Sequence, residues 1–423
     1  MGDSVLNYHE LVKPDRVKGD VYTDTRIFAD ELNRIFNKSW IYVGHASEIP
    51  SPGDYKLKSI GLQEVIFCRD TNDKVRVLFN RCRHRAATVC QEMGGNGNEF
   101  RCAYHGWVYG LDGALKFVPY ADAYTDLDKS SLGLGKPSKV DSYRGFVFAL
   151  VDDDVLVTLD EHLGEPAKQQ IDLFCDLSPQ GEIEVQAGAS LLAYNGNWKL
   201  QMENSIDGYH PNFTHQSFFQ SIVRNTGQRI DMFDGGSTAE CRDLGRGHSN
   251  LEYSRYNLQA SRREARIAGL RSAPWGEKYY QDMVSAYGQE RAEQVIVIGG
   301  THMSIFPNLV LLGQQVRTIR PISAERTEVE LAPALLKGVP EELNTMRLRM
   351  YEQFYTPQGG GIHDDIEMFN RVSRGLQCRQ DPWLIFQRGL GRERTLEDGT
   401  VVGQVTDEVS QRAMWRHWLE LMI

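Results

Sequence analysis

The chain has 423 residues, more than one hydrophobic core usually holds, so two domains with separate cores are expected. With 41% hydrophobic and 25% charged residues and no repeat of solenoid period, the composition excludes extended disorder and a repeat array. A formal charge of −10 without a long Lys/Arg stripe excludes nucleic-acid binding by phosphate neutralisation and leaves small molecules or proteins as partners.

The first residues, MGDSVLNYHE, lack the basic-then-apolar pattern of a signal peptide, and Gly2 fails the myristoylation pattern because Leu6 stands where Ser or Thr is needed. From about Trp40 to Val151, segments such as EVIFCR, VRVLFNRC and GFVFALV alternate or run apolar between Gly, Asp and Asn turns, which predicts strands. None is long enough to span a bilayer, so the protein is expected in the cytoplasm with no membrane partner. After Val151–Asp154 the texture turns helical, with further strands near SIFPNLVLL and RTEVELAPAL; the boundary falls near residue 155. Residues from about Asn250 to Glu293, rich in Arg, Tyr and Ala without a clean period, read as helical cover or a lid. EELNTMRLRMYEQFY sets Leu343, Met346, Met350 and Phe354 on one helical stripe, expected to pack in the core.

Seven cysteines, an odd number scattered through a long chain, do not make a secreted disulfide framework. Two of them stand beside histidines: Cys82-x-His84 and, after seventeen intervening residues, Cys102-x-x-His105. Zinc fingers usually carry both Cys in one pair and both His in the other, whereas here each pair mixes the two. Mixed pairs follow naturally when two irons of a [2Fe–2S] cluster are held by two Cys and two His, each loop giving one ligand to each iron. Imidazoles in place of two thiolates lower the cluster's negative charge and raise its potential to about −150 to +300 mV, which suits an electron relay. Cys90, between the pairs, is expected to be a small buried residue.

NWKLQMENSIDGYHPNFTH packs Glu203, Asp207, His210 and His215 into thirteen residues. His210 and His215, five apart, do not share a face on a regular helix, and Pro211 is expected to push His210 out of helical geometry and break the helix between them. Two His and one carboxylate make the facial triad that leaves positions on Fe(II) open. The candidate carboxylates are Asp207, Asp364 and Asp365. Asp365 shares a helical stripe with Phe369, Val372 and Leu376, whereas Asp364 lies with Met368, Arg371 and Gly375; a carboxylate on an apolar face needs a partner, which selects Asp365. His302, His363 and His248 are expected to be packing or pocket residues, and Arg83 and Arg85 solvated charges or a dock for an acidic electron carrier.

CRHR…CAYHGW resembles the Rieske motif, and the downstream segments resemble the catalytic half of Rieske non-haem iron ring-hydroxylating dioxygenase large subunits, from about residue 25 to the C-terminus. The resemblance implies an α+β fold: a Rieske β-sandwich domain over residues 40–155, and a mononuclear iron domain, 1–39 with 156–423, built on a large antiparallel sheet covered by helices. It implies that Cys82 and Cys102 hold one iron and His84 and His105 the other; that His210, His215 and Asp365 bind Fe(II); and that Asp207 bridges His210 to the Rieske His105 of a neighbouring subunit. A head-to-tail trimer follows, with a small β subunit suggested, as α3β3.

No G-x-G-x-x-G after a strand and no P-loop occurs, so electrons are expected from a reductase, directly or through a ferredoxin. The pattern Glu203-Asn204-x-x-Asp207-x-Tyr209-His210 resembles the branch acting on benzoate, anthranilate, salicylate or halobenzoate, giving a cis-diol or, with loss of carbon dioxide and an ortho group, a catechol. A buried Arg should then meet the carboxylate, and Arg317 and Arg320 are the candidates. The competing readings are a Rieske monooxygenase or demethylase, an electron-transfer Rieske protein with an inert second domain, and a zinc-stabilised binding protein or hydrolase.

Overall fold

Short apolar runs between glycine and aspartate turns become strands in the first of two units, Leu32–Leu159. The structure, a computed structural model, describes residues 6–227 and 238–423. In this unit Val75–Phe79, Gln63–Arg69, Asp54–Ile60 and Gly94–Asn96 pair in that order into an antiparallel sheet. Leu115–Phe117, Val108–Gly110 and Glu99–Arg101 form a second sheet, and Lys139–Tyr143, Phe146–Leu150 and Ile41–His45 a third. Ile66, Leu78, Phe100, Trp107 and Tyr109 build a core that also takes in Cys82, Cys90 and Cys102.

The other unit, Met1–Glu31 with Asp160–Ile423, is built on a sheet that is nine-stranded among the described residues and antiparallel throughout. Its strands are β1 (Ser190–Tyr194), β2 (Glu240–Gly245), β3 (His248–Glu252), β4 (His302–Ile305), β5 (Leu309–Leu312), β6 (Gln315–Ser323), β7 (Arg326–Pro333), β8 (Arg394–Thr395) and β9 (Val401–Gln404). They lie in the order β1-β7-β6-β5-β4-β3-β2-β9-β8. Register pairs His302 with Leu312 and Leu312 with Gln315, so His302, Gln315 and, two residues on, Arg317 project from one face. Helix α1 (Trp198–Ser205) covers that face: His302 Nε2 lies 2.5 Å from the Ser205 carbonyl oxygen, and Arg317 Nη1 donates to Ser205 Oγ at 3.3 Å.

Buried charge pins α1. Asn197 caps it by accepting from the Lys199 amide at 3.2 Å. Glu31 accepts from Lys199 Nζ (2.5 Å), Trp198 Nε1 (2.9 Å) and Trp418 Nε1 (2.7 Å), and Glu203 from the Tyr22 hydroxyl (2.6 Å) and Trp415 Nε1 (2.8 Å). Helices α2 (Pro211–Thr214), α3 (Gln216–Thr226), α4 (Glu341–Tyr355), α5 (Ile362–Gly375) and α6 (Val409–Met422) follow. The segment left open between cover and lid is helical, with its longer helices at Ala260–Ser272, Gly276–Tyr287 and Gln289–Ile298.

The expected α4 stripe is buried only at Leu343, and Tyr351, off that stripe, is buried in place of the two methionines. Met346 and Met350 are 41% and 51% exposed, while Leu343 and Tyr351 are buried. The Tyr351 hydroxyl donates to the Leu331 carbonyl at 2.9 Å, and this tie to β7 rotates the methionines outward. No helix among the described residues is long and apolar enough to cross a membrane.

Candidate metal centres

Two loops of the first unit close in the same way. The Cys82 amide donates to the Ala87 carbonyl and the Ala86 amide to the Cys82 carbonyl; likewise Cys102 to Trp107 and Gly106 to Cys102, all at 2.8–3.0 Å. The closing residues, Ala86 and Gly106, have φ of 61° and 71°, left-handed values that cost Gly106 least. Each loop thus presents a Cys and a His toward the other loop. His84 Nδ1 and His105 Nδ1 stand 3.2 Å apart, and the two thiols are close enough for Cys82 to hydrogen-bond Cys102. Burial pushes the Cys102 thiol up, and burial, His105 and Arg85 hold His84 below its usual value.

Two imidazole nitrogens aimed at each other beside two buried thiols fit a shared metal group better than they fit one another. Trp107 stacks on His84 with planes 6° apart, and the Tyr109 hydroxyl sits 3.2 Å from Cys82 Sγ while accepting from the Arg83 amide at 3.0 Å. Cys90 lies apart, its thiol 3.6 Å from the Glu92 carbonyl. Arg83 and Arg85 are exposed.

In the second unit His210, His215 and Asp365 offer ligand atoms that all lie within 4.8 Å of one another. Asp365 Oδ1 is 3.3 Å from His215 Nε2 and 3.6 Å from His210 Nε2. A first-row divalent ion with bonds of about 2.1 Å sets neighbouring ligand atoms about 3 Å apart, so the three groups fit such an ion with little movement. Burial alone would raise the Asp365 carboxyl, but the hydrogen bond from His215 and the charges of His210, His215 and Arg317 outweigh it and hold it low. Burial likewise disfavours charged His215, yet Asp365 and Asp364 hold its pKa above the usual value.

Convergence does not arise as Pro211 suggested. His210 has helical angles (φ −65°, ψ −33°), and Pro211 opens α2 rather than ending a helix. A proline at the first helical position loses only an amide that would lack a partner anyway. The real breaks lie on either side: between α1 and α2, and at His215, whose φ of −97° and ψ of 20° separate α2 from α3. The two rings end 5.4 Å apart.

The remaining predicted residues are also located. Asp207 Oδ2 is 3.4 Å from His210 Nδ1, although that nitrogen has no hydrogen-bond partner, and Asp207 Oδ1 accepts from the Tyr209 amide at 2.6 Å. Glu203, in the same sequence cluster, faces away into the Tyr22 and Trp415 contacts, its pKa pushed up to about 7 by burial. His302 donates to or accepts from Tyr253 and lies against Ser205, His248 is buried, and His363 contacts the Pro357 carbonyl. The sequence pattern contains Asn204 and the α4 stripe contains Phe354, but neither assigns its residue to the site: the Asn204 side-chain amide lies 3.3 Å from both Asp365 Oδ1 and His210 Nε2, and the Phe354 ring packs edge-on to His215 at 4.9 Å. The place of Asn204, last but one on α1 before the cluster, was the available signal.

Of the two arginines, Arg320 is partly exposed and pairs with Glu328 at 3.5 Å. Arg317 is 2% exposed, its Nε has no hydrogen-bond partner, and among the described residues no carboxylate forms an ion pair with it.

Residues 39–143 match the Rieske [2Fe–2S] domain, and residues 172–422 the catalytic domain of the ring-hydroxylating alpha subunit. The chain is 33% identical to the anthranilate 1,2-dioxygenase large subunit of Acinetobacter baylyi over 88% of its length and 80% of that protein, and 32% identical to the toluate 1,2-dioxygenase alpha subunit of Pseudomonas putida over 88% and 82%. Its fold superposes on naphthalene 1,2-dioxygenase with indole bound, at a TM-score of 0.84 and 26% identity, covering 99% of this chain and 95% of the other. Both halves being matched in chain order, the protein belongs to the ring-hydroxylating dioxygenase alpha subunits, oxidoreductases that incorporate dioxygen and carry a Rieske [2Fe–2S] cluster and a mononuclear iron.

Proposed function

We propose that this chain is a terminal oxygenase that takes electrons from a ferredoxin or reductase and dihydroxylates an aromatic carboxylate, giving a cis-diol or catechol. Residues 40–155 are the relay, with Cys82, His84, Cys102 and His105 holding the cluster; residues 1–39 with 156–423 are the oxygenase half, with His210, His215 and Asp365 holding Fe(II). When bound, that iron supplies dioxygen activation at its open positions. Asp207, beside His210, is the carboxylate through which electrons enter from a neighbouring copy, in an α3β3 assembly. Seven cysteines without a disulfide among them suit a cytoplasmic setting.

The observation that carries the oxygenase half is the convergence of His210, His215 and Asp365 within 4.8 Å. The carboxylate is supported by the likeness to anthranilate, 2-halobenzoate and toluate dioxygenases at 32–33% identity, against 28% for benzene dioxygenase subunits. It is supported also by Arg317, a buried cation beside α1 that forms no ion pair with a carboxylate among the described residues. Its guanidinium would receive the substrate carboxylate by charge-assisted hydrogen bonds. The test is turnover of aromatic carboxylates by protein loaded with Fe(II), supplied with electrons and isotopically labelled dioxygen. Both labelled atoms should enter one product; a single labelled atom would make it a monooxygenase, and no turnover of any carboxylate would overturn the substrate class.

A further inference from the structure

His215 is bracketed by consecutive aspartates. Its Nε2 is 3.3 Å from Asp365 Oδ1, on the side where the three candidate ligands meet, and its Nδ1 is hydrogen-bonded to Asp364 Oδ2 at 3.4 Å. The two carboxylates differ in setting: the Asp365 side chain is 6% exposed and that of Asp364 is 33% exposed. They adjoin in the first turn of α5, where successive side chains diverge by about a quarter turn, so one points at the ligand cluster and the other passes behind the ring. Phe354 meets the ring edge-on at 4.9 Å and Phe219 at 6.4 Å, which limits rotation of its plane. His210 is held differently: its Nδ1 lacks a hydrogen-bond partner, and one oxygen of nearby Asp207 is engaged by the Tyr209 amide.

A neutral imidazole has one N–H and one lone pair, and a metal ligand must keep the lone pair on the nitrogen facing the metal. An acceptor on the far nitrogen fixes that tautomer, steers the ring and strengthens it as a donor. We propose that Asp364 is a positioning residue for the iron site: its carboxylate takes the Nδ1–H of His215 and so holds Nε2, lone pair outward, toward the Fe(II). Sequence patterning set Asp364 aside because it lies off the apolar stripe of α5; that same offset brings it behind His215. The inference rests on the reading of His210, His215 and Asp365 as iron ligands.

The test measures Fe(II) affinity by chelator competition on the full-length, cluster-loaded protein, with the visible spectrum of the cluster as a control for folding. Asp364→Ala should weaken Fe(II) binding about 10- to 100-fold. Asp364→Asn, whose amide oxygen still accepts the N–H, should recover much of the loss. The nitric oxide adduct of the Fe(II) protein should show an altered electron paramagnetic resonance line shape in the alanine variant, which a carboxylate that only favours the start of α5 would leave unchanged. Wild-type affinity and line shape in Asp364→Ala would overturn the proposal. If that variant does not fold, Asp364→Ser, too short to reach Nδ1, is judged by the same criterion. His215→Ala separates the two levels: should it keep tight Fe(II), the ligand reading fails, whereas its loss of iron beside an indifferent Asp364→Ala refutes the positioning role alone.

Discussion

Replacing Arg317 with Gln tests whether this oxygenase selects acids over neutral aromatics through that guanidinium. The guanidinium is 2% exposed, it donates one hydrogen bond to Ser205 Oγ, and its Nε has no partner. Its charge is felt at Asp365 and by the Tyr355 ring 5.9 Å away, so it lies in the neighbourhood of the proposed iron ligands. A buried cation with capacity to spare gains about 1.5 to 3 kcal/mol from a hydrogen bond to a charged partner. At 1.4 kcal/mol per tenfold, that is about 10- to 150-fold in kcat/KM for an aromatic carboxylate. A neutral aromatic of the same ring system should change by less than about threefold. The assay is steady-state dioxygen consumption with both substrate types, beside iron content per chain. Equal losses for acid and neutral substrates, with iron lost as well, would refute the argument and make Arg317 a counter-charge for Asp365 instead.

Three further outcomes are expected. Tyr109→Phe removes a hydrogen bond to Cys82 Sγ (3.2 Å), and a contribution of about 0.5 to 1.5 kcal/mol lowers the one-electron potential of the cluster by about 20 to 65 mV in a spectroelectrochemical titration. Lys199→Met leaves Glu31 buried without its cation, which costs about 3 to 5 kcal/mol; the melting temperature should fall by roughly 6 to 20 °C and rise again when Glu31→Gln is added. His248 is held neutral, its pKa pushed down to about 3 by burial, with His417 and Arg246 adding to the effect, whereas an unfolded histidine titrates near 6.5. Because the unfolded chain binds the proton more readily, stability is complete above pH 6.5 and declines below it, by about 2 kcal/mol at pH 5; chemical denaturation at pH 7.5 and 5 should show that His248→Gln loses less.

What was legible in the sequence was chemistry tied to local spacing. Cys82, His84, Cys102 and His105 stand out because two mixed Cys/His pairs each sit on a tight loop, and those loops have matching backbone closures. The choice of Asp365 over Asp364 followed from helical phase alone, and burial follows that phase. Pro211 does not push His210 out of helical geometry, because the ordinary place of proline at a helix start outweighs the local bias against helical angles at the preceding residue. On α4 the stripe of Leu343, Met346, Met350 and Phe354 had the right period, but the Tyr351 hydroxyl found a carbonyl on β7, which no local pattern encodes. Asn204, Asp364 and Arg317 gain their meaning from residues more than a hundred positions away.

Helix α1 joins the stability of this unit to its chemistry. Buried ion pairs and lone buried carboxyls seldom stabilise relative to apolar packing of equal volume, so the Glu31–Lys199 pair and Glu203 need another reason to lie under three tryptophans. Their partners supply one: Lys199, Trp198 and Glu203 are spaced along α1 so that turning the helix by one residue would strip Glu31 of two donors and Glu203 of Tyr22 and Trp415 together. The charges therefore specify one rotational setting. That setting is what aims Asn204 between His210 and Asp365 and offers Ser205 to both His302 and Arg317. A looser α1 would misplace groups at the candidate iron site that never touch Glu31, so variants of the buried charges should disturb Fe(II) binding even where the protein remains folded.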